Sequence, residues 1–75
     1  MKWGIYDNVD HCWLGRPDEA GPRLFDTDEF VNGKQLGENA RKFARIAAHL
    51  AAVRLGMDRR RIVAKVYNVP ATKVP

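Results

Sequence analysis

The stretch Asn39–Leu55, NARKFARIAAHLAAVRL, decides the fold, and Gly56 follows it directly. Its six alanines give it a high helix propensity. The spacing predicts one helix from Glu38 or Asn39 to Leu55, with Asn39 as the candidate N-cap and Gly56 in a left-handed C-terminal turn. At 100° per residue, one side is apolar and is expected to face the core, and the opposite side is basic. The expected core side holds Phe43, Ile46, Ala47, Leu50 and Val53, and the basic side holds Arg41, Lys42, Arg45 and His49.

Short alternating segments on both sides of this helix predict strands. Residues 2–7 form the first strand, residues 8–10 turn the chain, and residues 11–14 return antiparallel to it. Residues 23–25 are a short third strand, and residues 61–67 are the last. The order β-β-(β)-α-β predicts an α+β fold, in which one long helix packs on one face of an antiparallel sheet of three to four strands.

The domain organisation follows from the same reading. Residues 1–67 are predicted to form a single domain, and residues 68–75, which have no periodicity, a flexible tail. The segment 26–37 allows two interpretations. Asp26 and Glu29 resemble a helix capping box, whereas Asn32-Gly33 between short arms is a hairpin signal. We favour an irregular excursion before the helix.

Charge divides the chain into two halves. Residues 1–38 hold four Lys and Arg against eight Asp and Glu, a net charge of −4. Residues 39–75 hold nine Lys and Arg against Asp58 alone, a net charge of +8. Such a chain can present one strongly positive surface, which attracts phosphate backbones or acidic protein faces.

Length and composition narrow the class of protein. Seventy-five residues make one small domain that is marginal alone and gains stability from a partner or a second copy. No run approaches the roughly 18 apolar residues of a membrane span, and the N-terminus lacks the apolar stretch of a secretory signal. The single cysteine, Cys12, fits a reducing compartment. We expect a cytoplasmic monomer or weak homodimer.

The residues argue against catalysis. The chain contains no serine, so a Ser-His-Asp triad is excluded. Cys12 and His11 are neighbours on a predicted strand and point to opposite faces, which leaves Cys12 with His49 as the rival thiol–imidazole pair. Two histidines and one cysteine do not make a zinc site, and the glycines are scattered. We predict no enzyme activity, no cofactor and no metal.

Three groups of residues are candidates for partner binding. The first is the basic helix side, where no acid at i+4 neutralises the cations. The second is the run Arg59-Arg60-Arg61, because arginine suits bidentate contact with carboxylate or phosphate. The third is the sheet face that one helix leaves uncovered, where aromatic and basic side chains alternate, as in RNA-binding sheets and protein interfaces. The predicted partner-binding residues are Tyr6, Trp13, Arg41, Lys42, Arg45, Arg59, Arg60, Arg61, Lys65 and Tyr67.

Several short segments carry a resemblance to known proteins. They are Ile5-Tyr6-Asp7, Cys12-Trp13-Leu14-Gly15, Gly21-Pro22-Arg23-Leu24-Phe25-Asp26, Arg45-Ile46-Ala47-Ala48 and Leu55-Gly56. This pattern, over about residues 2–65, resembles small proteins of bacteriophages and mobile elements, a group of small folds that includes anti-CRISPR proteins. The segment 28–37 looks like an insertion relative to it.

The resemblance implies a function for the chain. It implies a phage-derived inhibitor in the host bacterial cytosol that binds a protein component of a type I CRISPR surveillance complex and sterically blocks target DNA engagement. The alternative is a stand-alone basic nucleic-acid-binding module.

Overall fold

A computed structural model describes residues 1–15 and 21–67 of the chain. It confirms the predicted α+β class, with a small antiparallel sheet and one helix. The elements are β1 (Lys2–Asp7), β2 (Cys12–Leu14), β3 (Leu24–Asp26), β4 (Phe30–Val31), β5 (Lys34–Gln35), α1 (Asn39–Leu55) and β6 (Ile62–Val66). The predicted tail, residues 68–75, lies outside the described residues. Within the part of the chain that is described, no helix has the length and apolar character needed to cross a membrane.

Strand β1 is the centre of the sheet. On one edge it pairs antiparallel with β6, from Trp3 opposite Val66 to Asp7 opposite Ile62. On the other edge β2 pairs with its C-terminal half and β3 with its N-terminal half, so these two short strands together make one interrupted edge.

The register assigns side chains to the two sheet faces. Ile5 lies opposite Leu14 and Ala64, and all three share the face that the helix covers. Tyr6 lies opposite Trp13 and Val63 and therefore points to the other face. The hairpin register, which the sequence left open, thus puts Trp13 on the uncovered face and leaves Cys12 and Leu14 on the helix side.

The helix packs on the sheet through its alanines, and the predicted core side is wrong. Ile46, Leu50 and Val53 are 56%, 59% and 63% exposed, and Phe43 is 41% exposed. The buried helix residues are Ala40, Ala44, Ala48, Ala51 and Ala52. Of the five residues expected to face the core, only Ala47 is packed against it.

Side-chain size explains this orientation. Ala48, Ala51 and Ala52 form the main core cluster with Ile5 and Ile62, and small side chains let the helix backbone approach the sheet closely. The alanine side lies about 150° around the helix axis from the large apolar side chains at 3.6 residues per turn. The helix therefore has two apolar sides, and only the one made of small residues fits against the sheet.

The segment 26–37 forms a second hairpin. Phe30 pairs with Gln35 and Val31 with Lys34, around Asn32-Gly33 with φ of 54° and 80°. Positive φ at both central residues is the signature of a two-residue type I′ turn. The hairpin interpretation is thus correct, and the favoured irregular excursion is not.

The two helix ends differ in how well they were predicted. The helix spans Asn39–Leu55, and Gly56 adopts the left-handed conformation with φ 69° while its N–H bonds back to the last turn. At the start, however, Glu38 is the N-cap and its side chain makes no capping hydrogen bond. Asn39 is instead the first helical residue, and its N–H donates to the Leu36 carbonyl oxygen at 2.8 Å.

We predict opposite responses to substitution on the two apolar sides of α1. Ala52→Leu should lower the free energy of unfolding by about 1–3 kcal/mol, because the fully buried Ala52 leaves no room for added methylene groups. Leu50→Ala should change it by less than about 0.5 kcal/mol, since Leu50 is exposed. Urea unfolding of both variants measures the difference. Equal destabilisation would contradict this helix orientation.

Candidate functional site

A groove runs between the basic side of α1 and the edge strand β6. Its volume is about 770 Å³. The helix contributes one wall, β6 contributes the floor, and the turn that enters β6 closes one end. The lining residues are Trp3, Arg41, Arg45, Ile46, Ala48, His49, Leu50, Arg59, Arg60, Ile62, Val63 and Ala64.

The groove collects basic residues from two separate parts of the sequence. Arg41, Arg45 and His49 are spaced at i and i+4 and so lie along one side of the helix. Arg59 and Arg60 lie in the turn between Gly56 and β6. This turn borders the same groove as the helix. Four of the predicted binding residues, all arginines, therefore meet in one place.

Apolar side chains lie among these cations. Ile46 and Leu50 line the groove from the helix, and Ile62 lies in its floor. The Arg41 guanidinium lies 5.5 Å from the centroid of the Trp3 ring, within the range of a cation–π interaction. The groove therefore combines fixed positive charge with apolar surface.

Arg60 is exposed although it has a partner within the protein. Its guanidinium donates to the two carboxylate oxygens of Asp58 at 3.3–3.4 Å, and its backbone N–H donates to the same carboxylate at 2.8 Å. The Arg60 side chain is 92% exposed, and such a surface pair contributes little to stability. A partner with its own carboxylate can thus compete for Arg60.

Arg61, in contrast, is held by carboxylates of the protein itself, although the sequence predicts it as a partner-binding residue. Its Nε and Nη2 donate to the two carboxylate oxygens of Asp7 at 2.9 and 3.0 Å, and Nη2 also donates to Asp10 at 3.0 Å. Asp7 is only 2% exposed. The pair joins the end of β1 to the start of β6 across 54 positions of sequence. The guanidinium of Arg61 is therefore a structural clamp rather than part of the groove.

The same carboxylate organises the turn after β1. Asp7 Oδ1 accepts the backbone N–H groups of Val9 and Asp10 at 2.9 and 3.1 Å. The hydrogen bonds from Arg61, with smaller contributions from these backbone donors, hold the pKa of Asp7 well below its ordinary value of 3.8 despite the opposing effect of burial. The pKa of Arg61 is raised by the same contact.

Lys42 lies apart from the main groove. It lines a second depression, of about 650 Å³, near the start of the helix, together with Met1, Thr27 and Glu38. Arg41 and Arg45 border both depressions. Lys42 therefore extends the positive surface towards the N-terminus of α1.

The uncovered sheet face carries the four remaining predicted residues. Tyr6 and Trp13 pack edge to face at 4.9 Å, Trp13 and Tyr67 do so at 4.8 Å, and the Lys65 ammonium lies 4.2 Å from the Tyr6 ring centroid. Trp13 also lies against Gly4, where an added Cβ would approach its ring to 2.9 Å. Because the rings contact one another and the strand backbone, this cluster covers the sheet more than it offers free ring faces for stacking bases.

The predicted binding surface is thus divided. Arg41, Arg45, Arg59 and Arg60 line the groove, with Lys42 nearby; Tyr6, Trp13, Lys65 and Tyr67 lie on the opposite sheet face; and Arg61 is clamped by Asp7. Sequence reasoning missed Ile46 and Leu50 because it assigned them to the core. The alanine spacing is the signal that could have identified Ile46 and Leu50 as exposed, because it gives α1 a second apolar side.

The comparisons with known proteins add no assignment. No family model, no curated protein and no solved structure matches the chain. Among the described residues, no group of three or more His, Cys, Asp or Glu side chains is placed to hold a metal ion.

We predict that the Asp7–Arg61 clamp makes stability depend on pH. A carboxyl whose pKa is lowered by folding stabilises the fold above its unfolded value, and this contribution is lost as the pH falls towards the folded pKa. Asp7→Asn should therefore reduce the unfolding midpoint at pH 7 and flatten the loss of stability below about pH 4. Thermal unfolding between pH 7 and 2 measures both effects.

Asp28→Asn is the matched control for that experiment. Asp28 is exposed, and among the described residues its carboxylate makes no hydrogen bond or salt bridge; only its backbone N–H donates, to the Asp26 carboxylate. This variant should follow the wild-type acid profile. An Asp7→Asn protein with the wild-type profile would contradict the assigned role of the clamp.

Proposed function

We propose that this chain is a non-enzymatic binding protein that attaches to an acidic protein surface through α1 and the groove beside it. The observation that carries the proposal is the row of large apolar side chains exposed on the helix that bears the basic residues. The specific partner we propose is a protein component of a type I CRISPR surveillance complex. Bound there, the chain would sterically block engagement of target DNA.

The exposed apolar row has the composition of a protein interface. Phe43, Ile46, Leu50 and Val53 are spaced by three, four and three residues, so they form a continuous ridge along α1, and all four are large and exposed. We call these four residues the apolar ridge. Exposed apolar patches rimmed by polar residues mark interaction sites, and interface cores favour aromatic and aliphatic anchors with arginine.

Charge favours an acidic partner. Helix α1 contains no Asp or Glu, and Lys42, Arg45 and His49 lie beside the apolar ridge. A second copy that presented the same helix would bring like charges together, which opposes association. A partner that surrounds an apolar hollow with carboxylates would satisfy both features of the helix at once.

The separation of the rival catalytic pair supports a non-enzymatic role. His49 lines the groove at β6, whereas Cys12 lies in β2 on the opposite edge of β1. A thiol and an imidazole must come within hydrogen-bond reach to form a nucleophilic pair. Here the imidazole is on α1 beside β6 and the thiol is on β2, the strand on the other side of β1.

One observation favours nucleic acid as the second candidate. Arg41, Arg45, Arg59 and Arg60 converge on a single groove, and such a cluster neutralises phosphates without any sequence-specific contact. Phosphate binding would not use the apolar ridge, and we therefore place nucleic acid second among the candidate partners.

We predict that a single acidic substitution on the apolar ridge abolishes docking. Wild-type protein should co-elute on a sizing column with a purified type I surveillance complex that it inhibits. Leu50→Glu should weaken this binding by at least about tenfold, because it buries an unpaired carboxylate in the contact. Val9→Glu is the control, since Val9 is equally exposed but lies on the turn after β1.

Two results would contradict this proposal. Failure of every type I complex to retain the wild-type protein would remove the named partner. Retention of Leu50→Glu with the affinity of Val9→Glu would show that the apolar ridge is not the docking surface.

We predict a distinct salt response if nucleic acid is the partner. If four arginines contact phosphates, a plot of the logarithm of the association constant against the logarithm of the salt concentration should have a slope of about −3. Arg45→Gln should reduce the magnitude of this slope by nearly one. Fluorescence anisotropy with a labelled oligonucleotide measures both. Weak binding that does not change with salt would remove this candidate.

A further inference from the structure

Strand β6 has one edge that no described strand covers. Within residues 1–15 and 21–67, it pairs with β1 alone. Asn8 donates its N–H to the Arg61 carbonyl oxygen, and Tyr67 donates its N–H to the Lys2 carbonyl oxygen. These two bonds show which residues at the ends of β6 form hydrogen-bonded pairs with β1. Because inward and outward backbone groups alternate along a strand, residues 63 and 65 bond to β1. The backbone groups of Ile62, Ala64 and Val66 therefore point away from β1. Ile62 is only 3% exposed, so the accessible part of this edge lies at the half-buried Ala64 and Val66.

This open edge lies in the groove. Ile62, Val63 and Ala64 line the groove together with the basic side of α1. Ala64, which lies on the accessible part of the open edge, therefore lines the same groove as Arg41, Arg45, Arg59 and Arg60. Backbone donors and acceptors thus lie next to a concentration of positive charge.

We propose that β6 accepts an extended acidic protein segment as an additional strand. Main-chain hydrogen bonds to Ala64 and Val66, which are half-buried rather than buried, would supply affinity, and side-chain contacts would supply specificity, as in other cases of strand addition. In an added strand, alternate side chains point to the helix side of the sheet. Asp or Glu at those positions would meet Arg41 and Arg45. This inference rests on the proposed acidic protein partner and identifies the part of it that enters the groove.

Charge selects this occupant over a second copy of the chain. Two copies that paired their β6 strands about a two-fold axis would bring both sets of Arg41, Arg45 and His49 towards each other across the joint. Like charges in such a position oppose association. An acidic strand instead places carboxylates at these positions, where they attract the basic side chains.

The experiment uses a synthetic peptide probe. Seven residues alternating Glu and Val, blocked at both ends and carrying a fluorophore, are titrated with the full-length protein, and anisotropy gives the affinity. The same peptide with Lys in place of Glu is the charge control. The acidic peptide should bind at least about tenfold more tightly than the basic one, and this difference should shrink as salt rises.

Substitution at Ala64 tests the strand geometry. Ala64→Pro removes one outward N–H without removing a bond to β1, because proline is tolerated on the open side of an edge strand. It should weaken binding of the acidic peptide by about tenfold, the effect expected when one main-chain hydrogen bond to the peptide is lost. Ala64→Ser keeps the N–H and nearly the same size, and it should bind within about twofold of wild type.

Two further readouts keep the test independent of the folding of the proline variant. Backbone N-methylation of the peptide at alternate residues should abolish its binding to the wild-type protein. Amide hydrogen exchange in the complex should slow at Ala64 and Val66 and stay unchanged at Val63 and Lys65, which already bond to β1.

The outcomes separate this inference from the proposed function. Equal binding by the Pro and Ser variants, or full binding by the N-methylated peptide, overturns strand addition. Absence of any preference for the acidic peptide overturns the choice of occupant. Failure of the surveillance complex to bind, with all peptide results as expected, removes only the named partner.

Discussion

The contact between the alanine side of α1 and the sheet determines the other features of the molecule. Ala48, Ala51 and Ala52 lie against Ile5 and Ile62, and these small side chains allow the helix to approach the sheet closely. Once this side is buried, the rotation of the helix is fixed. The large apolar side chains must then point to solvent, and the basic side must border β6. The composition of one buried face thus creates both the apolar ridge and the groove.

The sequence predicted the elements better than their contacts. Residues 39–55 and 2–7 could be assigned because helix propensity, the Gly56 stop and alternation are local properties. The helix orientation could not, because Phe43 and Leu50 carry more apolar surface than the alanines and hydrophobicity alone assigns them to the core. Packing depends on volume as well as on transfer free energy, and the available space is known only when the sheet is in place.

The run Arg59-Arg60-Arg61 shows a second limit of sequence reasoning about the site. Its three members are identical in type and adjacent, yet only two of them line the groove. Arg61 is bound by Asp7, which is 54 residues away, so its partner becomes visible only after β1 and β6 pair. The convergence of Arg41 and Arg45 with Arg59 and Arg60 has the same origin, since the turn after Gly56 brings them together.

The fold shows where the acidic first half and the basic second half of the sequence place their charges. Asp7 and Asp10, from the acidic half, neutralise Arg61 at one end of the sheet. The acids at 26, 28 and 29 lie at β3 and the hairpin that follows it, on the other side of β1 from β6. Within residues 1–15 and 21–67, Arg41, Arg45 and Arg59 beside the open edge of β6 form no salt bridge, whereas Arg60 pairs with Asp58. Charge near an edge strand discourages pairing with further copies of the same chain, and at this edge the same charge favours a strand of opposite sign.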